Sequence, residues 1–286
     1  MRKVSIVPFF AFVLMILAAC NQNKPDKEFP QGTFFTVNGE NIEMMPVEGG
    51  TFTMGCTGEQ GDDCEEDEKP THEETVSSFY IGKYEVTQKL WDAVIGSHLN
   101  SSYNTGCEEC PVENVSWKDV QVFITKLNIL TKQSFRLPTG VEWEYAARGG
   151  NRSKGYKYSG SDKIDQVAWY IDNYQKNKHG DRGTTHPVGM KKPNELGIYD
   201  MSGNVWEWCS DLYTQEYNRN GKNVHSGWPF PGTQLFFRRI LRGGSWGGTA
   251  EGCRVSYIDY DVEGLRDEYG GFRLALDVDS TQVGIH

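Results

Sequence analysis

The chain has 286 residues, of which 37% are hydrophobic and 13% aromatic, enough to bury a sizeable core and too apolar for a disordered chain. Its 29 basic and 39 acidic residues give a formal net charge of −10. That balance argues against nucleic acid or an anionic membrane face as the main partner.

The first twenty residues place Arg2 and Lys3 ahead of an apolar run from Val4 to Leu17, the pattern of an export signal. The run is shorter than the ~20 residues a comfortable membrane span needs. Leu17-Ala18-Ala19-Cys20 resembles the lipobox of bacterial lipoproteins, whose cysteine becomes the lipidated first residue. A signal peptide over residues 1–20 and a lipid anchor at Cys20 are expected, holding the exported protein at the cell envelope on the outer membrane. An ordinary signal cut near Cys20 is the alternative. Residues 21–32 are polar and proline-containing, a tether to a single domain over 33–280.

Six cysteines follow Cys20: Cys56, Cys64, Cys107, Cys110, Cys209 and Cys253. An even count in an exported chain predicts disulfides, because that compartment is oxidising. Cys56 and Cys64 bracket a short loop, and Cys107-Glu-Glu-Cys110 is a CxxC. Zinc is the weaker reading of that CxxC, since no second CxxC or histidine pair stands at ligand spacing.

Phe34 to Val37, the turn pair Asn38-Gly39 and Ile42 to Val47 predict a β-hairpin, and Thr51 to Met54 another strand. The seven acids between Glu59 and Glu68 lack the order of an EF-hand loop and predict a solvated, disulfide-closed loop. Three helices carry start signals. Thr87 caps a segment with Leu90, Trp91 and Val94. Ser116 with Asp119 caps one whose Val120, Phe123, Ile124 and Leu127 share a face. Thr139 with Glu142 makes a capping box for Val141 to Arg148. Beyond Gly150 the periodicity fades into glycine, asparagine, aspartate and aromatics, which predicts short strands and long loops in an irregular α+β domain.

Phe135 to Gly150 (FRLPTGVEWEYAARGG) resembles the signature of the formylglycine-generating enzyme, or sulfatase-modifying factor, family. Gly49 to Gly55, Lys83 to Thr87, Pro111 to Trp117, His186 to Gly189, Asn194 to Trp208, Arg242 to Trp246 and Gly271 to Ala275 follow in that family's order. The resemblance implies an α+β fold related to C-type lectins, poor in regular secondary structure, with calcium as a structural ion. It places calcium at Asp200, Gly203, Val205 and Glu207: two carboxylates and two backbone carbonyls, all oxygen donors. Without the family, Glu207 reads as a cap or an arginine's partner. A second calcium site would fall near Val167 to Asn173, where the sequence departs from the enzymes' pattern.

Enzymes of the family oxidise a sulfatase cysteine to formylglycine, using oxygen and two cysteines that hold copper(I). Two soft thiolates are what such a site requires. Counting from Ser245, the resemblance puts the second cysteine at Cys253 and the first at Gly248, which has no side chain. Ser245 matches the serine beside the active site, and Tyr269 stands where the enzymes often have asparagine. Cys253 is therefore expected in a disulfide with Cys209, with Ser245 and Cys253 catalytic only in an active oxidase, the one case that calls for copper. Trp246, Tyr257, Tyr260 and Tyr269 are candidates for a binding groove, while Trp206 and Trp208 read as core.

The expected function is a lipid-anchored binding or assembly module that keeps the fold without the oxidase chemistry, with a protein or glycan ligand and no nucleic acid. Lipoproteins of gliding motility and secretion in Bacteroidetes, and phage-derived variable lipoproteins that diversify the region just before GFRL, are similar. Here that region is Ser256 to Gly270 (SYIDYDVEGLRDEYG). The alternatives are a formylglycine-generating oxidase and a variable ligand-binding lipoprotein of C-type-lectin-like type; an iron-dependent sulfoxide synthase is remote.

Overall fold

A computed structural model describes residues 32–62, 64–174, 183–213 and 237–278. The export signal, Cys20, residues 21–31 of the tether and residues 279–280 of the expected domain lie outside the described residues.

The predicted hairpin forms as β1 (Thr33–Val37) and β2 (Glu40–Val47), with Val37 opposite Glu40. Asn38 and Gly39 take φ of 48° and 91°, the left-handed pair that a two-residue primed turn requires. β3 (Gly50–Met54) pairs with β4 (His72–Val76) as a separate ribbon. β2 also pairs with β5 (Phe79–Gly82), which pairs with the last strand, β10 (Ala275–Asp277); the sheet order is β1-β2-β5-β10. The two ends of the domain are thereby joined in one sheet.

The three helices begin where their caps predict. α1 (Gln88–Ile95) is capped by Thr87, whose Oγ1 accepts from the Leu90 N–H at 3.2 Å. α2 (Trp117–Thr131) and α3 (Gly140–Ala147) both start in capping boxes, Ser116 with Asp119 and Thr139 with Glu142. Each such cap is worth about 1 kcal/mol. Val120, Phe123, Ile124 and Leu127 are the buried face of α2, as their spacing predicts. Trp91 of α1 stacks on Phe123 at 5.2 Å, and Phe272 meets Phe123 edge-on at 5.3 Å, so α1 and α2 share one core with the first sheet.

A second core gathers Trp143, Tyr145, Ala146 and Ala147 of α3 against Phe79, Ile81 and Ile240. It leads to a sheet of order β8-β7-β6-β9, made of β6 (Trp206–Leu212), β7 (Arg238–Arg242), β8 (Asp259–Val262) and β9 (Gly270–Gly271). β6 and β9 run parallel, with Trp206 opposite Gly270. Long irregular segments fill the rest of the described residues, as the fading periodicity predicts.

Those segments are tied by charge as well as by apolar packing. Arg242, Arg254 and Arg273 are each 0% exposed and face Glu144 at 3.2 Å, Glu68 at 2.6 Å and Glu207 at 2.6 Å. Arg254 reaches both oxygens of Glu68, and Ser256 donates to the same carboxylate. The acidic loop closed by the Cys56–Cys64 disulfide is thus not simply solvated: Glu68 is its buried anchor, and Glu59 pairs with Arg148 at 2.6 Å. Burial alone would push the Glu68 carboxyl up; its hydrogen bonds from Arg254, Ser256 and the Glu65 backbone outweigh that and hold it below the ordinary range.

Candidate functional site

The site grows from two left-handed turns that face each other. Gly203 and Asn204 have φ of 78° and 67°, and Gly243 and Gly244 have φ of 93° and 79°. The Gly203 N–H donates to the Gly243 carbonyl at 2.7 Å, and the Trp246 N–H donates to the Asn204 carbonyl at 2.9 Å, locking the segment before β6 to the turn after β7. A Cβ on Gly244 would lie 2.7 Å from the Cys253 Sγ and 2.9 Å from the Gly252 carbonyl oxygen. Only glycine permits so close an approach at that φ.

The turn packs Cys253 into a small cluster with Tyr158, Val167, Ala168 and Tyr170. Burial, and then the charge of Glu251, push its thiol up to about 12, so it is a neutral thiol at physiological pH. Cys209, on β6, sits in the other core beside α3. Both thiols are free and fully buried, so the expected Cys209–Cys253 disulfide is corrected: the two side chains project into different clusters. The remaining cysteines pair as Cys56–Cys64 and Cys107–Cys110, which removes zinc from the CxxC. Ser245 is 2% exposed, and a Cβ on Gly248 would lie 3.5 Å from its Oγ. The turn therefore keeps Ser245 beside position 248, where there is no side chain to bind a metal.

The calcium expectation meets a different difficulty. Both oxygens of Glu207 accept from Arg273 at 2.6 Å, and one also accepts from the Trp143 indole at 2.7 Å. One oxygen of Asp200 accepts from the Gly189 N–H at 2.7 Å; the other is buried with no hydrogen-bond partner. Of the two carboxylates in the set Asp200, Gly203, Val205 and Glu207, only Asp200 thus keeps an uncommitted oxygen, against the six to eight oxygen ligands that calcium takes. The plain alternative, Glu207 as an arginine's partner, is the arrangement seen. Around Val167 to Asn173, the Asn173 amide donates to the Asp165 carboxylate and the Ala168 carbonyl, and accepts from the Tyr170 N–H, closing that turn by itself. Chelation by excess EGTA is accordingly expected to leave the melting temperature of the purified protein unchanged; a fall of several degrees, reversed by calcium, would restore the ion.

The aromatic candidates separate. Trp246 is 6% exposed, donates its indole N–H to the Glu268 carbonyl at 3.1 Å and packs on Tyr269 at 4.9 Å, so it supports the site from beneath rather than lining a groove. Tyr257 lies 5.9 Å from Trp206, and Tyr260 stacks on Tyr213 at 3.6 Å; neither is among the residues that line the cavity described next. Tyr269, half-buried, does line a cavity of about 80 Å³, together with Trp206, Trp208, Asp259, Asp261 and Asp267. Trp206, read from the sequence as core, is half-buried and forms part of its wall; Trp208 is 2% exposed and belongs to both core and wall. The segment Ser256 to Gly270, tyrosine- and aspartate-rich enough in sequence to suit a recognition surface, supplies the three aspartates, while Glu68, Glu144 and Glu113 were not legible as buried acids. The arginines carried a usable signal: Arg254 and Arg273 each stand between apolar neighbours, where a charge must find a buried partner.

With this geometry, the chain belongs to the sulfatase-modifying factor enzyme 1-like domain family, which matches residues 31–278. It is 38% identical over 240 residues to the chaperone protein LppX of Paenibacillus barcinonensis, covering 68% of this chain and 79% of that one. It is 32% identical over 205 residues to a formylglycine-generating enzyme of Streptomyces coelicolor, covering 67% and 62% of the two chains. Among solved structures, Treponema denticola variable protein 1 superposes with a TM-score of 0.66 at 30% identity, over 87% of this chain and 99% of that one. The α+β fold of the formylglycine-generating enzymes is therefore the fold of this domain, while relatives of different names share it.

Proposed function

We propose that this protein is a non-catalytic binding module of its family, exported and held at the cell envelope through a lipid on Cys20, with a protein or glycan ligand. The observation that carries the reading is the state of Cys253. It is buried and protonated, and the position that the family resemblance assigns to the other copper-binding cysteine is Gly248. A copper(I) site of two thiolates has one residue to build on, and that residue is sealed in the core. The name of the LppX relative supports a role that depends on binding, and the cavity between Trp206 and Tyr269 supplies a surface for it. Within the fold, that surface is built largely from the segment Ser256 to Gly270 and is independent of the buried thiol.

Thiol titration of the mature protein tests the proposal. The folded chain is expected to show no thiol reactive with Ellman's reagent, and the guanidinium-unfolded, unreduced chain two, Cys209 and Cys253. A thiol that reacts in the folded protein, binds copper(I) and supports aldehyde formation on a CxPxR peptide would replace the module with an oxidase. Incorporation of an alkyne-palmitate label, lost in Cys20→Ser, checks the anchor.

A further inference from the structure

The cavity at Tyr269 combines aromatic rings with carboxylates. Trp206, Trp208 and Tyr269 give it aromatic walls, and Asp259, Asp261 and Asp267 give it three carboxylates. Among the described residues, no lysine, arginine or histidine forms a salt bridge with any of the three. Of the arginines on neighbouring segments, Arg266 pairs with Asp119 at 2.6 Å, Arg239 pairs with Glu263 at 2.7 Å, and Arg238 lies over the Tyr260 ring at 5.1 Å. The aspartates are held in place from the backbone instead. One oxygen each of Asp259, Asp261 and Asp267 accepts from the N–H of Tyr260 at 2.8 Å, Val262 at 2.7 Å and Tyr269 at 3.0 Å. Tyr269 is itself fixed by the glycine turn, since a Cβ on Gly247 would lie 2.5 Å from its ring.

Carboxylates collected without a counter-charge repel one another, and burial adds to the cost; Asp259 and Asp267 are raised above the ordinary range, by burial first and by the neighbouring acids after it. A bound cation relieves both. The side chains do not converge as metal ligands: among the described residues no group of three or more acids, histidines or cysteines is placed to hold an ion. A diffuse organic cation suits spread carboxylates and ring faces better, because its charge is shared over several N–H or C–H groups and is attracted by the π-systems as well as by the acids.

We propose that this cavity binds the cationic head of a basic side chain, an arginine guanidinium or a lysine ammonium presented by a protein partner. The volume of about 80 Å³ is the space of two or three waters, which suits such a head and leaves its stem outside. The inference rests on the binding-module reading and specifies the ligand class of that same surface.

The test uses the full mature chain with its eight tryptophans labelled as 5-fluorotryptophan, Trp206 and Trp208 being assigned by Trp→Phe exchange. N-acetyl-arginine methylamide and its lysine counterpart are expected to shift the Trp206 resonance saturably, and the neutral citrulline analogue to bind at least tenfold more weakly. Asp259→Asn with Asp267→Asn keeps the oxygen that each backbone N–H needs and removes two charges. It is expected to weaken the arginine probe at least tenfold, with the other tryptophan resonances in place to show that the fold persists. Equal binding of citrulline and arginine overturns the cation while leaving the cavity a binding surface. A response to calcium alone, or none to any probe from the folded protein, overturns the proposal as well. Formylglycine formation on a sulfatase peptide would instead overturn the binding-module reading, so the two failures are distinguishable.

Discussion

Replacing Arg273 by methionine is expected to cost about 3–5 kcal/mol, a large share of the roughly 5–15 kcal/mol that stabilises a typical domain, and to lower the melting temperature by roughly 10 °C or more. Arg273 is wholly buried and spends its donors on Glu207 and on the carbonyls of Gly82 and Tyr199. It therefore ties β6 to the end of β5 and to the loop before the site. Without it, the Glu207 carboxylate stays in the core near Asp200 and Glu85, both raised by burial first and then by neighbouring acids, Glu207 among them. A buried charge without its partner costs far more than the pair contributes, because water cannot reach it. The double variant Arg273→Met with Glu207→Gln removes that orphaned charge and is expected to recover a substantial part of the loss. Urea or thermal unfolding followed by near-ultraviolet circular dichroism reads both variants. An Arg273→Met protein as stable as the parent would show that the pair is not what holds the turns together.

A second large effect comes from Glu113, in the segment between the CxxC disulfide and α2. Its side chain is 0% exposed, one oxygen accepts from the Asn104 N–H at 2.7 Å and the other has no hydrogen-bond partner. Burial, outweighing those hydrogen bonds and joined by the charge of Glu268, raises its carboxyl from 4.5 to about 7. The folded protein therefore holds this proton at pH values where the unfolded chain has released it. Its contribution to stability is full below about pH 4.5 and is lost as pH rises to about 7, after which it no longer changes. Taken alone the group contributes a fall on the order of 3 kcal/mol across that window. Asp200, raised to about 6 mainly by burial, acts in the same direction. Glu113→Gln keeps the accepting oxygen and cannot ionise, so it is expected to flatten the fall and to be more stable than the parent at pH 8. Melting temperatures of the two proteins from pH 4.5 to 8 measure this; parallel curves would remove Glu113 as the cause.

The caps were legible because they are local. Thr87, Ser116 with Asp119, and Thr139 with Glu142 satisfy N–H groups within four residues, so their spacing in the chain is their spacing in space. Asn38-Gly39 was legible for the same reason: a primed turn needs positive φ at two adjacent residues and nothing from elsewhere. The buried face of α2 followed from its period. By contrast, Glu68 and Arg254 meet across 186 residues and Arg273 meets Glu207 across 66, separations that carry no periodic signal. Tyr269 and Trp206 are neighbours only because β9 lies parallel to β6, with Gly270 opposite Trp206.

The sequence by itself determined the family, the helix starts and the hairpin, and it put glycine at 248, because motifs, caps and tight turns are short-range properties. The tertiary structure decided the fate of the long-range partners. It left Cys209 and Cys253 apart as neutral buried thiols, and gave Glu207 to Arg273. It also brought Asp259, Asp261 and Asp267 around an aromatic cavity, with no salt bridge to any of the three among the described residues. The physical reason is the same in each case: a charge or a thiol takes its character from what surrounds it in space, and that surrounding is supplied by residues far away in the chain.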